Sequence, residues 1–160
     1  MQEFRSFQRL IESAAETAPD LIVVGMDGNC VSFAGKKREI LEATGERHRD
    51  KVIAACPDPH IERWYLADPD SFHQVVGSRP NLGTGKCTRD FYKRALADAV
   101  RRAGHPSTLG GMEFAPELVA AMDLYRAGKA EPSLGDFLNE FRAGLRRAQV
   151  RAGGTNGSLV

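Results

Sequence analysis

Two short apolar runs constrain this chain most, because each stops abruptly at an acidic turn. Residues 51–56, KVIAAC, pass through Pro57-Asp58-Pro59 into a short helix expected over residues 60–67. That helix carries Glu62 in its first turn and the only tryptophan of the chain, Trp64. Residues 21–26, LIVVGM, stop at Asp27-Gly28-Asn29. Short apolar runs rich in β-branched residues read as buried strands. A charged helix expected over residues 35–47 lies between them, so the order is strand, helix, strand. A crossover of that kind predicts a parallel pair joined right-handedly. Ligands of open α/β sheets sit outside the C-terminal ends of such strands. Asp27 and Glu62 are thereby candidates for one shared crevice.

The remaining segments are mostly helical in pattern. Residues 4–17 place Phe4, Phe7, Leu10, Ile11 and Ala14 on one face. Residues 70–76 add a further helical turn or two, and residues 77–85, GSRPNLGTG, form a loop. A helix over residues 88–103 buries Tyr92, Ala95, Leu96, Ala99 and Val100 and exposes Arg89, Lys93, Arg94, Arg101 and Arg102. Pro116 suits the first turn of a helix running to residue 127. The last helix begins at Pro132-Ser133, where Ser133 and Asp136 resemble a capping box, and carries a stripe of Leu134, Phe137, Leu138, Phe141 and Leu145. The chain reads as a single α/β domain over residues 1–150 with a disordered tail at 151–160. Two strands make a small sheet. A third is therefore expected within residues 70–82, near residues 107–109, or from another chain.

Composition narrows the function classes. One domain is expected for 160 residues, and a net charge of +1 marks neither a strongly basic nucleic-acid module nor an acidic tail. Polyanion binding would need a local patch. No run is long enough to span a bilayer, and the acids in the first sixteen residues do not read as a secretory signal. Three cysteines, Cys30, Cys56 and Cys87, lack framework spacing, which predicts free thiols in a reducing, cytoplasmic setting.

Each candidate residue has two readings. Asp27, with Asn29, presents hard oxygen ligands suited to Mg²⁺, yet Asp-Gly and Gly-Asn also favour turns for backbone reasons. The start of the short helix is specified by Asp58 as cap and Pro59 as first residue. Glu62 then either profits from the helix dipole or faces the crevice. Asp68, near the end of that helix, either caps the following segment or belongs to a second polar site. GTGKCT at residues 83–88 is not a phosphate loop: Pro80 stands where glycine is required, and Cys87 replaces the metal-binding hydroxyl. Lys86 and nearby amides keep a weaker capacity for phosphate. No second Cys/His pair accompanies Cys56 and His60 at zinc spacing, and nothing specifies a thiol protease. The row of basic residues is a solvated face or, beside a metal, a phosphate track that Arg142, Arg146 and Arg147 would extend.

An apolar strand ending in an acidic turn, followed by a strand leading into the I-E-x-W-x-L-A-D pattern, resembles TOPRIM-like proteins. The likeness runs through residues 20–103, with further support in GGMEFAPELVAAMD and the last helix. It is narrowest to small bacterial TOPRIM-related proteins found near anti-phage and mobile-element genes, distant relatives of the nuclease domain of the overcoming-lysogenisation-defect family. The resemblance implies a small parallel-sheet core and an Mg²⁺-dependent nuclease or nuclease subunit acting on DNA or RNA in phage defence. It places Asp27 at the family's D-x-D strand end, makes Glu62 the acid of the E-x-W segment, and makes Lys86 or Lys93 the late basic residue. Asp27, Asn29, Glu62 and Asp68 are then the metal-site candidates, with Asn29 and Asp68 accessory. Two departures stand out. Asn29 replaces a carboxylate, and the family's opening strand with its Glu is replaced by a helix bearing Glu3 and Glu12. A truncated start, a strand from a partner subunit encoded nearby or from a homo-oligomer, or a degenerate interaction subunit each accounts for that. A small-molecule enzyme using the same crevice is a third, less specified alternative.

Overall fold

The two apolar runs pair as expected. The structure, a computed structural model, describes residues 6, 9, 19–83 and 85–154. Strands β1 (Ile22–Gly25) and β2 (Val52–Ala55) lie parallel, with Ile22 opposite Val52 and Gly25 opposite Ala55. Helix α1 (Phe33–Thr44) and a 3-10 turn (Glu46–His48) connect them. After β2 come α2 (Ile61–Tyr65), α3 (Pro69–Val76) and α4 (Phe91–Arg102). A 3-10 turn (Met112–Phe114), α5 (Ala115–Ala121), α6 (Leu124–Ala130) and α7 (Pro132–Gly154) complete the described chain. The class is α/β with a small parallel sheet.

Alternation along β2 sends Val52 and Ala54 to one face and Ile53 to the other. Ile40 of α1 packs with Ile22, Val52, Ala54 and Cys56 on the first face. Helix α7 lies on the second, at Gly144: a Cβ there would stand 2.6 Å from Ile53 Cδ1 and 2.9 Å from Leu21 Cδ1. Lys37 of α1 reaches across to α7, bonding Asp136 at 2.8 Å and Glu140 at 2.7 Å. Burial alone would lower the Lys37 pKa, but hydrogen bonds to Asp136 and Glu140 outweigh it and raise it. Two helical clusters sit beside this layer. Leu66, Phe72, Val76, Leu96, Val100 and Leu118 form one, and Trp64, Ala67, Ala127, Leu134 and Leu138 form the other.

Several expectations change. Among the described residues the sheet has two strands, and no third strand forms in 70–82 or 107–109. Asp68 and Pro69 start a helix there, with Asp68 accepting from Ser71, and Gly77 ends it in the left-handed region at φ 88°. Asp58 does not cap α2, which begins at Ile61 with His60 before it, and the Asp58–Pro59 peptide is cis. Helix α4 starts at Phe91 rather than 88, because turn bonds from Thr88 to Gly85 and Phe91 to Thr88 occupy its approach. The helix expected to run on from Pro116 breaks at Met122, since Asp123 caps α6 through the amides of Tyr125 and Arg126, each at 3.0 Å. Ser133 and Asp136 make no capping box; their side chains bond Glu131 and Lys37 instead. Helix α7 continues to Gly154, into the stretch read as tail. The helix expected over residues 4–17 lies outside the described residues except for Ser6 and Arg9, both helical. No helix among the described residues is long and apolar enough to cross a membrane.

Candidate functional site

The loops leaving the two strands stay laced together beyond the sheet. Met26 N–H donates to Ala55 O at 2.9 Å, Gly28 N–H to Pro57 O at 2.8 Å and Asn29 N–H to Pro59 O at 3.0 Å. Gly28 is required by this approach: a Cβ there would meet Pro57 O at 3.0 Å and the Asp58 Cα at 3.3 Å. The turn thus has a full backbone reason, and it leaves the Asp27 side chain 45% exposed. His60 Nδ1 lies 3.4 Å from Asp27 Oδ2, so the strand ends share a carboxylate–imidazole pair. A cleft of about 330 Å³ opens there, lined by Met26, Asp27, Pro57, Ile61 and Trp64.

Asp58, the residue after the cleft-lining Pro57, is only 7% exposed. Its Oδ2 accepts a 2.8 Å hydrogen bond from Lys86 Nζ, while its buried Oδ1 has no partner. Lys86 arrives from the loop before α4, which the Cys30–Cys87 disulfide ties to the turn after β1 across a Cα–Cα distance of 5.7 Å. The expectation of three free thiols is corrected accordingly. A separation of 57 residues carries no framework signal in sequence, yet the fold brings both loops to one place. Cys56 is free and buried, and burial pushes its thiol up to about 11.

The motif helix is anchored from behind by one buried network. Ser133 Oγ accepts from Trp64 Nε1 at 2.8 Å and from the Asp58 amide at 3.3 Å, and donates to Glu131 Oε1 at 2.9 Å. Glu131 Oε2 pairs with Arg63 Nε, whose guanidinium also lies over the Tyr92 ring. Buried polar groups satisfied in this way fix one arrangement of the elements carrying them. The start of α7 therefore holds both the β2 exit and α2 in place.

The predicted site residues divide into two groups. Asp27 and Asn29 lie in the turn after β1, Asn29 exposed with φ 48°, and Lys86 reaches Asp58 just after β2. Glu62 occupies the first turn of α2, half-buried, beside the cleft-lining Ile61. Asp68 is elsewhere and fully used: it accepts from Ser71 Oγ at 2.6 Å, Asp123 N–H at 3.0 Å, and Arg126 Nε and Nη2 at 3.0 and 2.8 Å. Burial would raise the Asp68 carboxyl, but Arg126, Ser71 and the Asp123 amide hold it well below the usual carboxylate range. Those donors account for Asp68 as a cap and ion-pair residue. Lys93 is exposed on α4, its stem within 3.8 Å of where a Gly110 Cβ would stand. His60, considered from sequence only as a zinc or thiol partner, and Asp58, expected as a helix cap, take other places here; the P-D-P-H order was the available signal.

The basic row is largely spent on local partners. Arg94 donates to Arg89 O at 3.1 Å, Arg102 to Arg79 O at 2.9 Å, and Arg101 pairs with Asp98. Helices α4 and α7 belong to separate core clusters, so Arg142, Arg146 and Arg147 do not simply continue that row. The weaker phosphate capacity near Lys86 also shrinks, since α4 begins five residues later. Among the described residues, no three His, Cys, Asp or Glu side chains cluster as a ready metal cage. Mg²⁺ commonly needs only one or two carboxylates and keeps several waters, so the exposed Asp27 carboxylate is compatible with that ion. No protein-family model, no curated protein and no solved structure matches this chain.

Proposed function

We propose that this protein is a Mg²⁺-dependent, phosphodiester-cleaving nuclease, or the subunit of one, working on DNA or RNA in cytoplasmic phage defence. The single observation that carries the reading is the pairing of Asp27 with His60 at the open C-terminal ends of two parallel strands. Asp27 and Glu62 would hold the ion, with Asn29 adding a neutral oxygen. The bound ion would polarise a phosphodiester and lower the pKa of a coordinated water. His60, beside Asp27, can hold or pass a proton at Nδ1. Lys86 can neutralise charge on a phosphate once it leaves Asp58. The TOPRIM-like pattern of residues 52–70 adds the expectation of this chemistry. The test is cleavage of single- and double-stranded DNA and RNA with Mg²⁺ or EDTA. Asp27→Ala and Glu62→Ala should abolish cleavage while circular dichroism stays unchanged; full cleavage by both variants overturns the reading.

A second reading has its own observation. An apolar groove of about 390 Å³ runs between α2, α5 and α7, lined by Trp64, Tyr65, Met122, Phe137, Phe141 and Leu145. Open apolar surface of that kind suits a partner protein. On this reading the chain is a degenerate interaction subunit that assembles with a neighbouring gene's product. Light scattering of the mixture would then show a complex indifferent to EDTA; no complex removes this alternative.

A further inference from the structure

We propose that Asp58 is a cation ligand of the strand-end site that Lys86 covers, and that the Cys30–Cys87 disulfide is the latch holding this cover closed. Asp58 is more than nine-tenths buried, and one of its two oxygens has no hydrogen-bond partner. A buried carboxylate oxygen without a donor is a group awaiting one. Its other oxygen meets only Lys86, a residue 28 positions later whose side chain is itself 47% exposed. A hard cation sharing both oxygens would satisfy Asp58 more fully than this single ammonium does.

The latch follows from where the disulfide sits. Cys87 is the residue next to Lys86, and Cys30 follows Asn29 in the acidic turn. Lys86 lies on a turn, and both cysteines are exposed, within reach of a small thiol. While the Sγ–Sγ bond stands, the lysine stays above Asp58. Reduction by a low-molecular-weight thiol breaks that bond, takes up two electrons and two protons, and leaves two cysteine thiols. Two molecules of the reductant are joined as their own disulfide. The loop before α4 is then untied, Lys86 swings off, and both oxygens of Asp58 become open to the ion. The site is closed when oxidised and open when reduced. The cation half of this inference rests on the strand ends being a metal site, as proposed above; the latch half does not.

The full chain is prepared oxidised, and reduced with dithiothreitol followed by anaerobic desalting. Lys86 acetylation by an amine-reactive ester is read by mass spectrometry without metal. It should rise several-fold on reduction and in Cys87→Ser, with other lysines unchanged; equal labelling overturns the latch. Calorimetry with Mg²⁺ should show about tenfold tighter binding by the reduced form. Lys86→Met should bind equally in both redox states, and Asp58→Asn should lose the gain on reduction while keeping its melting temperature. If Asp27→Ala abolishes Mg²⁺ binding but Asp58→Asn keeps the full redox effect, Asp58 is no ligand and the strand-end reading stands. If no form binds Mg²⁺, the strand-end reading falls and takes the Asp58 assignment with it, while the labelling result still decides the latch.

Discussion

The indole Nε1 of Trp64 donates a 2.8 Å hydrogen bond to Ser133 Oγ, joining the helix of the acidic motif to the first turn of the last helix. Removing that hydroxyl strands the indole N–H, the Asp58 amide and one Glu131 oxygen in a buried setting. Ser133→Ala should therefore cost about 1–3 kcal/mol, read from urea unfolding, with a shift in Trp64 fluorescence. An unfolding midpoint equal to wild type would show that the network holds nothing.

The Asp68–Arg126 pair predicts a pH dependence with a definite sign. The folded Asp68 carboxyl titrates below its unfolded value, so the unfolded chain takes up the proton first. Its stabilising contribution is complete above the unfolded pKa of about 4 and is lost as pH falls below it. Arg126→Ala should lower stability at neutral pH, by less than the loss of a fully buried ion pair because the arginine is half exposed. It should also flatten the loss of stability in acid, measured as melting temperature against pH. A variant curve parallel to wild type down to acid pH would contradict this.

Helices α6 and α7 pack through facing glycines, Gly128 and Gly135. A Cβ on Gly135 would collide with the Gly128 carbonyl oxygen, which is backbone and cannot turn aside. Gly135→Ala should destabilise by about 1–3 kcal/mol, measured by thermal unfolding, and loosen the wall behind Trp64. Unchanged stability would mean the hairpin relaxes freely.

How much of this was legible in the sequence depends on how local each signal is. Strands 22–25 and 52–55 and the short helix after them follow from periodicity and from punctuation by Pro and Gly. The break at Met122 follows from Asp123 capping the next helix through Tyr125 and Arg126, while the Asp68 bond to the Asp123 amide that reinforces it spans 55 residues. Asp68 stands out in the sequence as an acid near a helix end, but Arg126, which explains it, is 58 residues away. Asp27 was visible as a strand-end acid. The meeting of Asp58 with Lys86 was not, because the loop before α4 that carries Lys86 has no period and is tied down by a cysteine pair far apart in the chain.

Thiol reactivity should separate the three cysteines. Burial raises the Cys56 thiol to about 11, so at pH 8 only about one molecule in a thousand is thiolate. After reduction, iodoacetamide at that pH should modify Cys30 and Cys87 and spare Cys56 until the chain is unfolded. Rapid modification of native Cys56 would contradict its place under α1.

The central claim is that the strand ends form a cation site built on Asp27 and Glu62. Calorimetric titration of the reduced, full-length protein with Mg²⁺ into the millimolar range tests it most directly. The account predicts saturable binding that Asp27→Ala and Glu62→Ala each weaken by about tenfold or more, a loss of about 1.4 kcal/mol. The absence of any binding heat in wild type, or equal binding in both variants, would contradict it.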